Sequence, residues 1–117
     1  MTLKEKFSEE LPMINVDTGL ETCGGDEEFY MELMGDFTAM NIKEELVQFY
    51  QDNDFKNYSI LIHGFKNNAY SLGAKELGDL SYELEKLSKE GFAEDILSKQ
   101  ELLFAQFDVI REGFFGL

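Results

Sequence analysis

Residues 55–75 read FKNYSILIHGFKNNAYSLGAK, and this stretch decides the fold. Its apolar residues recur at alternating intervals of three and four, which is the spacing of an amphipathic helix with one buried face. Gly73 is expected to close this helix, because glycine readily adopts the left-handed conformation that ends helices. The residues predicted to face the core are Phe55, Tyr58, Ile62, Phe65, Ala69 and Leu72.

The opposite face of this predicted helix carries the only histidine of the chain, His63. At about 100° per residue, His63 lies well off the apolar stripe and toward solvent. The stretch contains no Asp or Glu, although the chain has 24 of them. We therefore expect the imidazole to lie away from carboxylates, on a neutral to positive face. The residues expected to share its side are Lys56, Ser59, Ile60, Lys66, Asn67 and Tyr70.

Helical periodicity also marks the rest of the chain, and no strand-like alternation appears. We expect a helix over 27–51 with Asp26 as its N-cap, and a short helix capped by Asp17 before it. Two further amphipathic segments follow 55–75, the first with a leucine stripe and the second rich in Phe and Ile. The pattern predicts an all-α protein, an antiparallel four-helix bundle over 16–117 preceded by a short N-terminal helix or arm over 1–15.

The composition of the chain restricts the cellular compartment and the classes of molecule that it can bind. The 117 residues suffice for one domain, and the single cysteine, Cys23, excludes an internal disulfide. A net charge of −14 argues against nucleic acid and against an anionic membrane as partners. No apolar run approaches the roughly 20 residues of a membrane-spanning helix, and no signal peptide is evident. These features predict a cytoplasmic protein, and we expect a monomer.

The residue types exclude several classes of chemistry. A Ser-His-Asp triad needs an acid beside the histidine, and no phosphate-binding glycine loop is present. A metal site in a helical bundle takes Glu-x-x-His pairs from facing helices, which one histidine cannot supply. A neutral imidazole, however, is a nucleophile that needs no separate base. His63 is therefore either an ordinary surface histidine or a phosphoryl acceptor, with Lys66 one turn later to neutralise the phosphoryl oxygens.

The sequence resembles the histidine-containing phosphotransfer (HPt) domain of multistep two-component signalling. Residues 62–74, IHGFKNNAYSLGA, are similar to the family core A-H-x-L-K-G-S-x-x-x-I-G-A. Upstream, Gly19-Leu20 and the segment GGDEEFY at 24–30 resemble the entry into the family's first long helix. Downstream, LGDL at 77–80 and Leu84-Glu85 are also similar to the family pattern.

This resemblance implies a phosphoryl carrier without kinase activity of its own. His63 would accept the phosphoryl group from a receiver-domain aspartate and pass it to another receiver, and Lys66 would stabilise it. The implied partners are response-regulator receiver domains and a hybrid histidine kinase. The carrier itself needs no cofactor, because the receiver supplies the magnesium. The positions expected to contact a receiver are Lys56, Ser59, Ile60, Gly64, Asn67 and Tyr70.

Asn67 departs from the family pattern, which usually has glycine at this position. Glycine lets the loops of a receiver approach closely, whereas asparagine adds bulk and a hydrogen-bond donor. Asn67 is therefore expected either to narrow the choice of receiver or to weaken transfer. It leaves open the alternative of a non-catalytic HPt-like interaction module, which binds receivers without phosphotransfer.

Overall fold

Seven helices and no strand make up the computed structural model, which describes all 117 residues. None of these helices combines the length and the apolar character that crossing a membrane requires. The helices are α1 (Leu3–Glu10), α2 (Val16–Thr22), α3 (Glu27–Thr38), α4 (Ile42–Gln51), α5 (Phe55–Ser71), α6 (Lys75–Glu90) and α7 (Ala93–Phe115).

Four antiparallel rods form the bundle, which confirms the predicted fold class. The first rod consists of α3 followed by α4, and α5, α6 and α7 are the other three. In each pair of neighbouring rods, contacts join early residues of one rod to late residues of the next. The contacts that show these directions are Tyr30–Leu72, Phe37–Phe65, Tyr70–Asp79, His63–Glu85, Glu83–Lys99, Lys43–Asp108 and Tyr50–Ala93.

The expected single helix over 27–51 is wrong, because the first rod breaks after Thr38. The Thr38 hydroxyl donates to the carbonyl of Met34 at 3.0 Å, a local bond of the kind that bends helices. Arg111 of α7 then donates to the carbonyls of Thr38 and Met40, at 2.9 and 3.3 Å. These carbonyls would otherwise lack helical partners at the break. The apolar spacing continues into α4, so it gave no sign of the interruption.

Helix α5 has the core face that its spacing predicts. Five of the six residues expected to face inward are buried, and Phe55 is half-buried. Asp54 caps the start of α5 by accepting from the Asn57 N–H at 3.2 Å. Gly73 follows its end with a φ of +93°, as predicted. The ring of Phe65 stacks on Phe37 and meets Phe107 edge-on, so α5 is anchored to both neighbouring parts of the core.

The N-terminal segment packs on the end of the bundle. Phe7 and Leu11 are fully buried there. The cap of α2 is Asn15 and not Asp17, since the Asn15 side chain accepts from the Thr18 N–H at 3.2 Å. Asp17 instead pairs with Lys4 of α1 at 2.8 Å. The Asn15 N–H also donates to the Gly73 carbonyl at 2.9 Å, which ties this segment to the turn after α5.

Candidate functional site

His63 lies in the middle of α5 with its imidazole half in solvent. The side chain is 54% exposed, which agrees with the outward position expected from the helical spacing. Ile60, one turn earlier, is 60% exposed, and a Cβ added to Gly64 would meet nothing within 4 Å. The buried seam on the opposite side of α5 holds this backbone rigid, so the imidazole is presented from a fixed support.

A carboxylate from the neighbouring helix contacts the imidazole, contrary to expectation. Glu85 of α6 places Oε2 2.9 Å from His63 Nδ1, although its own side chain is only 8% exposed. An ionised carboxylate can only accept, so Nδ1 carries the hydrogen of this bond. In the neutral ring, the lone pair is then on Nε2. Glu85 thus selects which nitrogen is available for reaction.

Two lysines complete the environment of Glu85. Lys66 Nζ is 2.6 Å from Oε1, and Lys89 Nζ is 3.0 Å from Oε2. Burial opposes ionisation of Glu85, but hydrogen bonds from Lys66, Lys89 and His63 outweigh it and lower the pKa of its carboxyl to about 2. The carboxylate is therefore ionised throughout the neutral range.

Lys66 lies on the Nδ1 side of the imidazole and is largely withdrawn from solvent. Its Nζ is 3.4 Å from His63 Nδ1, and its side chain is 14% exposed, against 63% for Lys89. The ammonium also lies over the ring of Tyr82, 5.6 Å from the centroid. Lys66 is thus beside His63 as expected, but its charge is already paired with Glu85.

Asn67 occupies the other side of the ring. Its Nδ2 is 3.3 Å from His63 Nε2, which is the nitrogen that the Glu85 contact leaves as acceptor. An amide donor at Nε2 and a carboxylate acceptor at Nδ1 favour the same tautomer. The residue that departs from the family pattern therefore touches the candidate reactive atom directly.

The remaining predicted contact positions divide between the surface and the interior. Lys56 and Tyr70 are exposed with Ile60 and Gly64, whereas Ser59 is buried and donates to the Lys56 carbonyl at 2.9 Å. The Tyr70 hydroxyl donates to Asp79 at 2.6 Å, and desolvation together with this bond raises the pKa of Tyr70 to about 12. Ser59 therefore supports the site from within, and the other four face outward.

A shallow cleft of about 260 Å³ adjoins the imidazole. Its walls are Ser59, Ile60, His63, Glu85 and Lys89. A larger cavity of about 420 Å³ lies between α1 and the start of α2 and includes none of the predicted site residues. No group of three or more His, Cys, Asp or Glu side chains is arranged to hold a metal ion. The smaller cleft is thus the one beside His63, and Lys66 and Asn67 lie outside its walls.

Sequence reasoning missed Glu85 as a functional residue, although α6 contains a signal for it. Gly78, Ser81 and Ser88 are buried at helical spacing with Glu85. Small residues in such a stripe let a facing helix approach closely, and the aromatic ring of Tyr70 fills the space where a Cβ of Gly78 would lie. A lone acid in a stripe of small residues indicates a buried carboxylate with a partner on the facing helix.

Comparison with known proteins identifies no relative. No protein-family model, curated protein or solved structure matches the chain. Its function is therefore inferred from the geometry around His63 and from the motifs that resemble the HPt pattern.

Proposed function

We propose that this protein is the phosphoryl carrier of a multistep phosphorelay, with His63 as the phosphoacceptor. The observation that carries the proposal is the imidazole itself, half exposed, with Nδ1 bound to Glu85 so that the lone pair of the neutral ring is on Nε2. The donors and acceptors of the phosphoryl group are receiver-domain aspartates, and a hybrid histidine kinase begins the relay. The carrier works as a monomer in the cytoplasm and has no kinase activity of its own.

The transfer step follows from the tautomer. The Nε2 lone pair attacks the phosphorus of an aspartyl phosphate, an N–P bond forms, and the P–O bond to the aspartate breaks with its electron pair leaving on the carboxylate. Nδ1 keeps its hydrogen, so the ring becomes positively charged. Glu85, 2.9 Å away and ionised, stabilises that charge. Return of the phosphoryl group to a second aspartate reverses each change.

In this proposal, Lys66 acts on His63 through Glu85. Its short bond to Oε1 fixes the carboxylate that orients the imidazole. Lys66 and Lys89 together carry two positive charges against the one negative charge of Glu85, so the site keeps a net positive charge on a chain of net charge −14. That local charge favours an incoming dianionic phosphoryl group and an acidic receiver surface.

The alternative is an HPt-like module that binds receivers on the same surface without phosphotransfer. The observation that favours it is the Asn67 amide, which lies 3.3 Å from the nitrogen that must attack. In this case Ile60, Gly64 and Tyr70 form a contact surface, and His63 is one of its polar members.

A transfer assay tests the proposal. The protein is incubated with a panel of phosphorylated receiver domains, and we expect acid-labile, alkali-stable label on the chain. Because His63 is the only histidine, His63→Gln must remove all of this label. Absence of label with every receiver, together with binding that persists in His63→Ala, would establish the interaction module instead.

A further inference from the structure

We propose that Asn67 is a cap on the reactive nitrogen of His63, which sets how readily the imidazole reacts. This inference deepens the proposed function and rests on Nε2 being the nucleophile. The evidence is the 3.3 Å separation between Asn67 Nδ2 and His63 Nε2, on the solvent side of the ring. The amide donates into the lone pair that any electrophile must use.

The cap and the Glu85 contact act on opposite nitrogens of one ring. Glu85 holds the hydrogen on Nδ1 at 2.9 Å, which leaves Nε2 able to accept. The Asn67 amide then satisfies Nε2, so both ring nitrogens are hydrogen-bonded before a reactant arrives. Reaction at Nε2 requires the amide to rotate away, and the exposed position of Asn67 permits that rotation.

The hydrogen bond from Asn67 must be broken before Nε2 can react, and this requirement raises the barrier to every reaction at Nε2. The cap is one hydrogen bond between neutral groups at an exposed site, so its removal should accelerate reaction about two- to fivefold. Once the phosphoryl group is on Nε2, the displaced amide faces the phosphoryl oxygens and can donate to them. Asn67 thus slows the transfer of a phosphoryl group to Nε2 and then helps to hold that group in place. A carrier with glycine at the same position has neither effect.

Small-molecule reactivity tests this inference without any receiver. Diethyl pyrocarbonate places an ethoxycarbonyl group on a free imidazole nitrogen and releases ethyl hydrogen carbonate, and the modification is followed by absorbance at one pH. With a single histidine, the whole histidine signal comes from His63. Asn67→Ala should react about two- to fivefold faster than the unmodified sequence. Asn68→Ala is the matched control, since Asn68 is also exposed on α5 but has no contact with the ring, and its rate should not change.

A second variant separates hydrogen bonding from shielding. Asn67→Asp has nearly the same shape but offers a carboxylate to Nε2, which favours hydrogen on both ring nitrogens, so the reaction should become slower. An unchanged rate in Asn67→Ala, or equal rates in Asn67→Asp and the unmodified sequence, would overturn the cap. Because no receiver takes part, a failed receiver assay leaves this result intact, and an absent cap leaves the carrier function intact.

Discussion

The Glu85 carboxylate and the His63 imidazole come from facing helices and meet at 2.9 Å through Nδ1. Glu85 is buried and His63 is half exposed, so the bond runs from the interior of the α5–α6 interface out to the surface. This one relationship decides the tautomer, the orientation of the ring and the direction in which Nε2 points. The consequences for stability and for transfer can be measured separately.

Glu85→Gln should lower the free energy of unfolding at neutral pH by about 1–3 kcal/mol, because it leaves Lys66 without a charged partner inside the interface. The folded-state pKa of Glu85, about 2, lies below its ordinary value of 4.5. The ionised carboxylate therefore stabilises the fold fully above about pH 4.5, and this contribution is lost as the pH falls toward 2.

Urea unfolding between pH 7 and pH 2 checks this prediction. The difference between the unmodified sequence and Glu85→Gln should shrink across the acid range. Glu90→Gln is the control, since Glu90 is exposed on the same helix, and it should change stability by less than about 0.5 kcal/mol. A pH-independent difference would contradict the assignment of Glu85 as the titrating group.

Lys66→Ala should slow phosphoryl transfer about tenfold, because it removes a charge-assisted hydrogen bond that fixes Glu85 behind the imidazole. The measurement is the rate of label transfer from a phosphorylated receiver. Lys86 of α6 lines the same small cavity as Lys66 of α5, so Lys86→Ala removes one positive charge from that cavity and should leave the rate nearly unchanged. Equal losses in the two variants would mean that general charge, not the Lys66 bond, matters.

Gly64→Ala should separate stability from docking. Alanine in an exposed helical position with open space around it should raise the free energy of unfolding by about 0.5–1 kcal/mol. The added methyl group lies next to His63 on the proposed receiver surface, so transfer from a receiver should become slower. Thermal unfolding and the receiver assay measure the two effects. Transfer that is as fast as before would remove Gly64 from the contact surface.

Gly73→Ala should destabilise the fold by more than about 2 kcal/mol. The residue has a φ of +93°, and a Cβ there would clash with the Asn15 carbonyl oxygen. Gly91 provides the comparison, because its φ is +76° but nothing lies within 4 Å of the added atom. Gly91→Ala should therefore cost only about 1 kcal/mol, for the backbone conformation alone. Chemical denaturation of both variants shows whether the close contact adds to the strain.

The sequence predicts the helices and their buried faces well, because a period of about 3.6 residues is imposed by the backbone alone. Ile62, Phe65 and Ala69 are buried for this reason. The same helical spacing places Ser59 and Lys66 at the border between the buried and the exposed face of α5, where α6 covers them. Whether such border residues are buried depends on the neighbouring helix, which the period of one helix does not reveal.

The break after Thr38 and the Glu85 contact both depend on residues distant in sequence. Arg111 completes the hydrogen bonds at the break from 73 positions away. Glu85 contacts His63 across 22 positions of sequence, and its carboxylate lies within a stripe of small residues on α6. Local patterns do not report such partners. The expectation that His63 lies away from carboxylates was wrong because it considered only the acids of its own helix.

The Arg111 bonds to the carbonyls of Thr38 and Met40 have a consequence for how the chain matures during translation. The kink in the first rod is completed only by a side chain that leaves the ribosome some seventy residues later. Until then, only water can donate to these two carbonyls, and the contact between α7 and the break is absent. This connection between the first and the last rod is therefore completed only after α7 has been synthesised.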